Sequence, residues 1–442
     1  MRKSPLLACG GLAAASLILA AAPSARADAP ATENPFFSES PLPYHYPQFD
    51  KATDASFEPA FTRGMADTAK EVEAIASNPD KPTFDNTIVA LERSGRILTR
   101  VSQVFDDLKQ CNTDQQIDDL DTKLTPLRTA LNDSILLNSA LFARVSALYD
   151  QRSSLGLDPE SLRLLERYYS NFVRAGARLN DAEKTKMKAL NAEVATLQTT
   201  FVQNLPKERN ADEIVVTDKA ELAGLSDEEI ASAANIAKQQ HLDGKYVIAL
   251  LNTTGQPPLS SLTNRALRQR IMEASLARGS HGGPYDNRAI VLRIVEMRAE
   301  QAKLLGFDSF AAYTVENQTA KTVGAVDTLF AALAGPSIAK AKREAADMQA
   351  IIDKDHGGFQ LAAWDWDLYS EKVREARYSF DDSQLKPYFE LNHVLFDGVF
   401  YAAHQLYGLT FKERHDLVVY QPDVRVFEVF DADGSHLAFL LE

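Results

Sequence analysis

A helical repeat between residues 158 and 201 constrains the fold more than any other feature of the sequence. Asp158 and Pro159 form a helix cap followed by a first-turn proline. Apolar residues then recur at steps of three and four in two runs: Leu162, Leu165, Tyr169 and Phe172, and then Met187, Leu190, Val194, Leu197 and Phe201. This spacing puts each run on one helix face. It predicts two long helices that pair as an antiparallel hairpin.

Other stretches repeat the helical pattern. Residues 85–108 place apolar side chains at helical spacing and predict one helix, capped by Asp85 or Asn86. Residues 264–353 predict further helices, interrupted by the loops "RGSHGGPYDN" and "LGFDSF", and another helix covers residues 390–408. The sequence therefore predicts a mainly α fold.

The predicted β structure is small. Short β-rich runs at residues 213–217 and 245–251 flank an acidic helix, "SDEEIASAANIAKQQ". At the printed C-terminus, "VRVFEVF" and "HLAFLLE" flank a turn at residues 431–434 and predict a β-hairpin. These runs indicate small β insertions among helices, with a subdomain boundary near residues 205–255.

The first 27 residues predict a removable secretory signal. A basic start, "MRK", precedes an apolar run, and "ARA" places small residues at a cleavage site that ends at Ala27. A retained membrane anchor and a lipoprotein signal at Cys9 are the disfavoured alternatives. The signal predicts export to the periplasm or cell envelope, with no membrane contact after its removal.

The predicted organisation is a signal at 1–27, an arm and helical subdomain at 28–204, and a helical subdomain with small β insertions at 205–442.

Residues 28–50 contain five prolines and no helical period, so we expect an extended arm over the rest of the protein.

The formal net charge of −14 makes nucleic acid an unlikely partner. Removal of the signal takes away three basic residues and no acidic one, and leaves Cys111 as the single cysteine. The mature chain is then expected to have neither an internal disulfide nor a cysteine metal cluster. We expect a monomer.

Three residues of the 390–408 helix are candidate metal ligands. His393, Asp397 and His404 fall near one helix face. The two histidines, however, are eleven residues apart, roughly 16 Å along a helix axis, which is too far for one ion to bind both. Only His393 and Asp397 could bind together, with a third ligand from elsewhere. A surface or packed polar face is the favoured interpretation.

Three other motifs favour structural roles. "GSHGG" at 279–283 has adjacent Ser and His, but it lies between helices and lacks a nucleophile-elbow pattern, so a glycine loop is favoured. "DADG" at 431–434 starts like a calcium loop, yet its glycine comes too early, so a hairpin turn is favoured. Trp364, Trp366 and Tyr369 could form a binding ledge, although aromatic residues beside a helix start are more often core.

Blocks spread over residues 34–437 resemble, in order, the thimet oligopeptidase family of zinc peptidases, and most closely its peptidyl-dipeptidase branch. They are "PAFTRGM", "PTFDNTIVALERSG", "NFVRAGARL", "RGSHGGPYDNRAIV", "RAEQAKLLGF", "AAWDWDLYSEKVR", "LKPYFELNHVLFDGVFYAAHQLYGLTF" and "YQPDVRVFEVFDADGSHL". The resemblance implies an elongated, mainly α-helical peptidase body divided by a deep channel. It also implies cleavage of short peptides, with release of C-terminal dipeptides in the closest branch.

The resemblance implies zinc held by the two histidines of H-E-x-x-H and a later glutamate, with the motif glutamate as general base. The printed sequence contains no H-E-x-x-H, so no catalytic, cofactor-binding or metal residue is carried over. We therefore expect a truncated metallopeptidase that lacks the zinc site and is inactive alone, with exposed apolar surface around "VRVFEVF" and "HLAFLLE". The alternative is a non-catalytic peptide-binding or scaffolding protein.

Overall fold

The fold is described by a computed structural model for residues 34–211, 213–253, 255–379 and 385–442. Helices dominate these residues, and their β structure consists of a two-stranded and a three-stranded antiparallel sheet. The prediction of a mainly α fold is confirmed. The predicted signal at 1–27 and residues 28–33 of the predicted arm lie outside the described residues.

The chain between residues 54 and 211 is almost wholly helical. Its elements are α1 (Asp54–Ala76), a π-helical segment (Phe84–Val89) that runs into α2 (Ala90–Glu92), α3 (Arg96–Cys111), α4 (Gln115–Leu136), α5 (Ser139–Asp150), α6 (Pro159–Ala175) and α7 (Asp181–Ala211). The predicted subdomain boundary after residue 204 falls within α7 and stays a prediction.

Helices and short strands alternate in the rest of the chain. The elements are β1 (Ile214–Val216), α8 (Asp227–Gln239), β2 (Tyr246–Ile248), α9 (Arg265–Leu276), α10 (Arg288–Leu304), α11 (Phe310–Val315), α12 (Val323–Lys354), α13 (Trp366–Tyr378), α14 (Leu391–His393), a π-helical segment (Val394–Phe400), α15 (Tyr401–Tyr407), β3 (Thr410–Arg414), β4 (Val426–Phe430) and β5 (His436–Leu441). None of the described helices combines the length and apolar character needed to cross a bilayer.

The helices at residues 158–201 form as predicted, but their pairing does not. Asp158 caps α6 by accepting hydrogen bonds from the backbone N–H groups of Glu160 and Ser161, and Pro159 occupies the first turn. However, α6 packs against α5, whereas α7 packs against α4 and α10. The antiparallel-hairpin prediction is wrong because periodicity shows which face of a helix is buried but not which helix covers it.

The single helix predicted over 85–108 is broken. Thr83, rather than Asp85 or Asn86, is the cap, and it exchanges hydrogen bonds with Asn86 in a capping box. Gly95 then takes a left-handed backbone conformation with φ of 72°, and its N–H donates to the Glu71 carboxylate at 2.7 Å. This conformation favours glycine and separates α2 from α3.

Helix α1 contributes to two hydrophobic cores. Near its start, Phe57 and Phe61 pack with Phe105 of α3. Near its end, Val72 and Ile75 pack in a second core. Its buried members are Val72, Ile75, Ala76, Ile88, Leu91, Leu141, Val145, Leu148, Leu165, Phe172 and Ala177. One helix thus joins the α3–α4 layer to the α5–α6 layer.

Residues 34–50 lie as an arm over the protein, as predicted. Phe36 is buried against Phe57, with ring centroids 5.4 Å apart. Tyr46 is buried against Phe439 of β5, again at 5.4 Å. The arm therefore connects the N-terminal helices with the three-stranded sheet.

Both predicted β regions are confirmed. β1 pairs with β2, and β4 and β5 form the predicted hairpin. The three-stranded sheet has the order β3-β4-β5, and sequence patterning missed β3. Since β4 is the central strand, Val426 and Phe427 are buried. The expectation of exposed apolar surface at "VRVFEVF" is therefore wrong.

Candidate functional site

The structure brings the three candidate metal ligands together only in part. His393 Nδ1 lies 2.8 Å from an oxygen of Asp397, and both side chains are exposed. His404 Nδ1 instead lies 3.1 Å from the carbonyl oxygen of Leu409. Among residues 34–442, as far as they are described, no group of three or more His, Cys, Asp or Glu side chains is placed to hold a metal ion.

Asp397 and His404 nevertheless line the same cleft. Its volume is about 540 Å³, and most of its other lining residues are aromatic or apolar: Phe396, Phe400, Tyr401, Leu409 and Phe411. The rings of Phe400 and Phe411 stack with centroids 3.9 Å apart, which fixes the helix on the three-stranded sheet. An apolar cleft with only one carboxylate and one imidazole in its lining suits a peptide side chain better than a metal ion.

The loop at residues 278–287 connects α9 to α10, as the glycine-loop interpretation predicted. Ser280 Oγ donates to the carbonyl of Ala277. The buried Glu208 carboxylate accepts a hydrogen bond from the Gly279 N–H, and its other oxygen lies 3.3 Å from Nδ1 of His281. These contacts hold the loop against α7, so they have a structural function.

The other two structural interpretations are also confirmed. In the turn at 431–434, the Gly434 N–H donates to the Asp431 carbonyl, which closes the hairpin between β4 and β5. Tyr369 is buried against Met348 and Ile352 of α12, with Trp366 partly buried beside them. The aromatic residues around 364–369 therefore belong mainly to the core.

Large apolar side chains are exposed on several elements of the described chain. Every residue of α12 from 327 to 343 is exposed. Exposed large apolar side chains occur on α12, on the segment 388–407 and on β5: Leu329, Phe330, Leu333, Ile338, Tyr388, Phe389, Leu391, Phe396, Val399, Tyr401, Leu406, Tyr407, Leu437 and Leu440. We call these side chains the uncovered apolar surface. Exposed apolar side chains in such number are typical of a binding surface.

β5 lies at an edge of its sheet. Within the described residues it pairs only with β4, so its outer N–H and C=O groups are available to an added strand. The expectation of exposed apolar residues in "HLAFLLE" is confirmed for Leu437 and Leu440. An exposed strand edge flanked by apolar side chains can bind an extended peptide.

A buried charge cluster holds β5 in place. Glu428 of β4 is buried between Arg414 of β3, at 2.5 Å, and His436 of β5, at 3.1 Å. Burial alone would raise the pKa of Glu428, but the hydrogen bonds from Arg414 and His436 outweigh it and lower that pKa. The His436 ring also stacks on Tyr44 of the arm, with centroids 3.3 Å apart. The carboxylate therefore stays ionised and links all three strands.

The described residues thus form a mainly α-helical protein with a small sheet, one open sheet edge and many exposed apolar side chains. Residues 259–440 match the sequence model of peptidase family M3. The match to this family in that region agrees with the resemblance to thimet oligopeptidases.

Individual relatives are similar over a longer stretch. The chain is 46% identical over 407 residues to the dipeptidyl carboxypeptidase of Escherichia coli strain K12, an alignment that covers 92% of this chain and 60% of the relative. It is 26% identical over 397 residues to oligopeptidase A of the same organism, covering 89% and 58%. The organellar oligopeptidase A of Arabidopsis thaliana is 26% identical over 414 residues, covering 91% and 52%. The chain thus spans at most about 60% of the length of these relatives.

Proposed function

We propose that the protein is an exported zinc metallopeptidase of the peptidyl-dipeptidase type that hydrolyses short peptides. The observation that carries this proposal is the 46% identity to a dipeptidyl carboxypeptidase across 92% of the chain. Export rests on the signal pattern that ends at Ala27.

The described residues contribute peptide binding to this function. The uncovered apolar surface supplies contacts for apolar side chains, and the edge of β5 supplies backbone hydrogen-bond groups. The cleft beside Phe400 and Phe411 is large enough for an aromatic side chain.

Zinc, which the family implies, does not fit the residues at hand. The printed sequence has no H-E-x-x-H, and the described side chains gather no group of three ligands. A zinc ion would polarise the scissile carbonyl and activate water where it is bound. No step of that chemistry is assigned to a residue of these 442.

A chimera tests the proposal. The mature chain would be joined to the part of the Escherichia coli dipeptidyl carboxypeptidase that the alignment leaves uncovered, and release of C-terminal dipeptides from a short peptide would be followed by mass spectrometry. We expect chelator-sensitive dipeptide release by the chimera and none by the 442-residue chain. A folded chimera without dipeptide release would contradict the proposal, and chelator-sensitive cleavage by the 442-residue chain would place the zinc ligands within it.

A non-catalytic peptide-binding protein is the second candidate, favoured by the exposed edge of β5 and the uncovered apolar surface. The two functions differ in what they do to a bound peptide. Anisotropy of a fluorescent short peptide measures binding, and mass spectrometry of the same mixture measures cleavage. Tight binding by the 442-residue chain, combined with a folded chimera that never cleaves, would favour this second function.

A further inference from the structure

A polar cleft of about 600 Å³ lies between the N-terminal helices and α10. Five helices contribute to it: α4, α6, α7, α10 and α11. Its lining combines guanidinium, carboxylate and amide groups with an apolar wall formed by Met187, Val194, Leu305 and Phe310. The volume is within the range of small-molecule sites.

Asp133 on α4 is a buried carboxylate in this cleft, with 5% of its surface exposed. Asn191 donates a 2.7 Å hydrogen bond to Asp133, and Gln301 donates another of 2.7 Å to Asn191. No cation lies within ion-pair distance of Asp133 among the residues that the structure describes. Burial raises the pKa of Asp133, and the hydrogen bond from Asn191 and the charge of Lys188 offset this only in part.

A buried carboxylate without a cation destabilises a fold. Buried carboxylates of this kind occur at functional sites, where burial and specific partners shift their pKa. The group that it lacks is a hydrogen-bond donor with a positive charge, such as an ammonium.

Three arginines line the same cleft, and one of them is not engaged by an acidic group. Arg128 forms a bidentate pair with Asp106, and Arg174 pairs with Glu316. The guanidinium of Arg298 lies 5.1 Å from the ring centroid of Phe310. Over the described ranges it has neither a hydrogen bond nor an ion pair. It is therefore free to bind a carboxylate.

We propose that this cleft binds a free dipeptide, with the dipeptide carboxylate at Arg298, its ammonium at Asp133 and its apolar side chain against the wall that includes Met187 and Phe310. The choice of a dipeptide over other zwitterions rests on the proposed function, in which dipeptides are the product. Binding at this cleft does not require hydrolysis. The site would allow the protein to sense this product.

Isothermal titration of the 442-residue chain with L-alanyl-L-leucine, in the absence of metal, tests the site. The unmodified dipeptide is compared with its N-acetyl and C-amide forms. We expect each blocked form to bind at least tenfold more weakly, because each lacks one of the two charges. Absence of binding at millimolar dipeptide, or equal competition by inorganic phosphate, would overturn the inference.

Two variants test which side chain binds each charged end of the dipeptide. Arg298→Gln is expected to weaken dipeptide binding at least tenfold and to make the dipeptide and its C-amide bind alike. Asp133→Asn is expected to weaken dipeptide binding at least tenfold and to make the dipeptide and its N-acetyl form bind alike. Arg293→Gln is the matched control, since Arg293 is on the same helix but pairs with Glu193 outside the cleft, and it should change the affinity less than twofold.

Folding of the variants is checked by thermal unfolding without ligand. Asp133→Asn should remain folded, because Asn still accepts the hydrogen bond from Asn191. If Arg298→Gln and Arg293→Gln weaken dipeptide binding equally, the assignment to this cleft is wrong. Failure of the chimera to hydrolyse peptides, with dipeptide binding retained, would contradict the proposed function and leave this site standing.

Discussion

Arg268 and Asp365 form a buried ion pair between residues 97 positions apart: Nη2 of Arg268 lies 2.7 Å from Oδ1 of Asp365, and both side chains are almost fully buried. Arg265 adds a second ion pair to the same carboxylate at 2.8 Å. Although burial raises the pKa of Asp365, the hydrogen bonds from Arg265 and Arg268 lower it below its usual value. This pair fixes α9 against the start of α13.

Asp365→Asn should therefore destabilise the protein strongly. Removing one partner of a buried pair leaves Arg268 with an uncompensated charge, a loss of about 3 kcal/mol in the free energy of unfolding. Urea unfolding at pH 7 measures it. Asp67→Asn is the control, because Asp67 and its partner Arg63 are both about half exposed, and exposed pairs contribute about 0–1 kcal/mol.

The Asp365 contribution should also depend on pH. Its pKa is lower in the folded state, so the stabilisation is complete above the usual aspartate pKa of about 3.9 and is lost as the pH falls further. The difference between wild type and Asp365→Asn should shrink over that acidic range. An equal difference at pH 3 and pH 7 would contradict the ion-pair explanation.

The sequence predicted local features of the fold well. Asp158 and Pro159 act on adjacent backbone groups, so their capping role is visible in the sequence itself. The pairing of α6 with α7 was predicted wrongly, because the apolar face of a helix does not show which other helix packs against it. The ion pair between Arg268 and Asp365 was likewise not predictable from the sequence, because only the fold brings these two distant residues together.

The candidate sites were less predictable than the helix caps where their residues come from distant parts of the sequence. His393 and Asp397 are close in sequence, and their contact follows from helical spacing. Asp133 and Arg298 are far apart in sequence, and neither belongs to a motif, so only the structure places them in one cleft. Apolar residues of α12 such as Phe330 were visible in the sequence, but their exposure depends on what packs against the helix.

A substitution at Gly224 tests the close approach of this residue to the backbone of Ser261. Its φ is 102°, and a Cβ atom added there would lie 2.0 Å from the carbonyl oxygen of Ser261. We expect Gly224→Ala to lower the free energy of unfolding by about 4 kcal/mol, from backbone strain and overpacking together.

Gly156 provides the matched control for this measurement. It also has a positive φ, 65°, but a Cβ atom there would have no neighbour within 4 Å. Gly156→Ala should cost only about 1 kcal/mol, the strain of the left-handed conformation. Equal losses at both positions in urea unfolding would show that the Ser261 contact is not the cause.

Export should remove residues 1–27, because small residues precede the bond between Ala27 and Asp28. N-terminal sequencing of the exported product is expected to begin at Asp28. Ala27→Phe should block this cleavage, whereas a substitution at Thr32, beyond the site, should not. A soluble product that keeps Met1 would contradict the signal.

The 442-residue chain should hold well below one zinc ion per molecule after dialysis. His393 is paired with Asp397 and His404 with a backbone carbonyl, so they supply no shared set of three ligands. Metal analysis by mass spectrometry measures the zinc content. Stoichiometric zinc that is lost in His393→Ala or His404→Ala, but kept in His241→Ala, would establish the metal site that the described geometry does not supply.

The exposed half of α12 should bind a hydrophobic dye without contributing to stability. Leu329, Phe330 and Leu333 are 57%, 62% and 53% exposed, so replacing all three with Gln removes little buried apolar area. We expect the free energy of unfolding to change by less than about 0.5 kcal/mol. Because hydrophobic dyes bind to exposed apolar side chains, binding of such a dye should fall.

Ile352→Ala on the same helix is the control for this last experiment. Ile352 is fully buried against Met348 and Tyr369, so its truncation should cost about 2–5 kcal/mol, while dye binding by the folded state stays unchanged. The two results together separate the half of α12 that stabilises the fold from the half that presents apolar side chains to a partner. A loss of more than about 1 kcal/mol in the triple Gln variant would mean that these side chains are packed in the folded protein and do not form a binding surface.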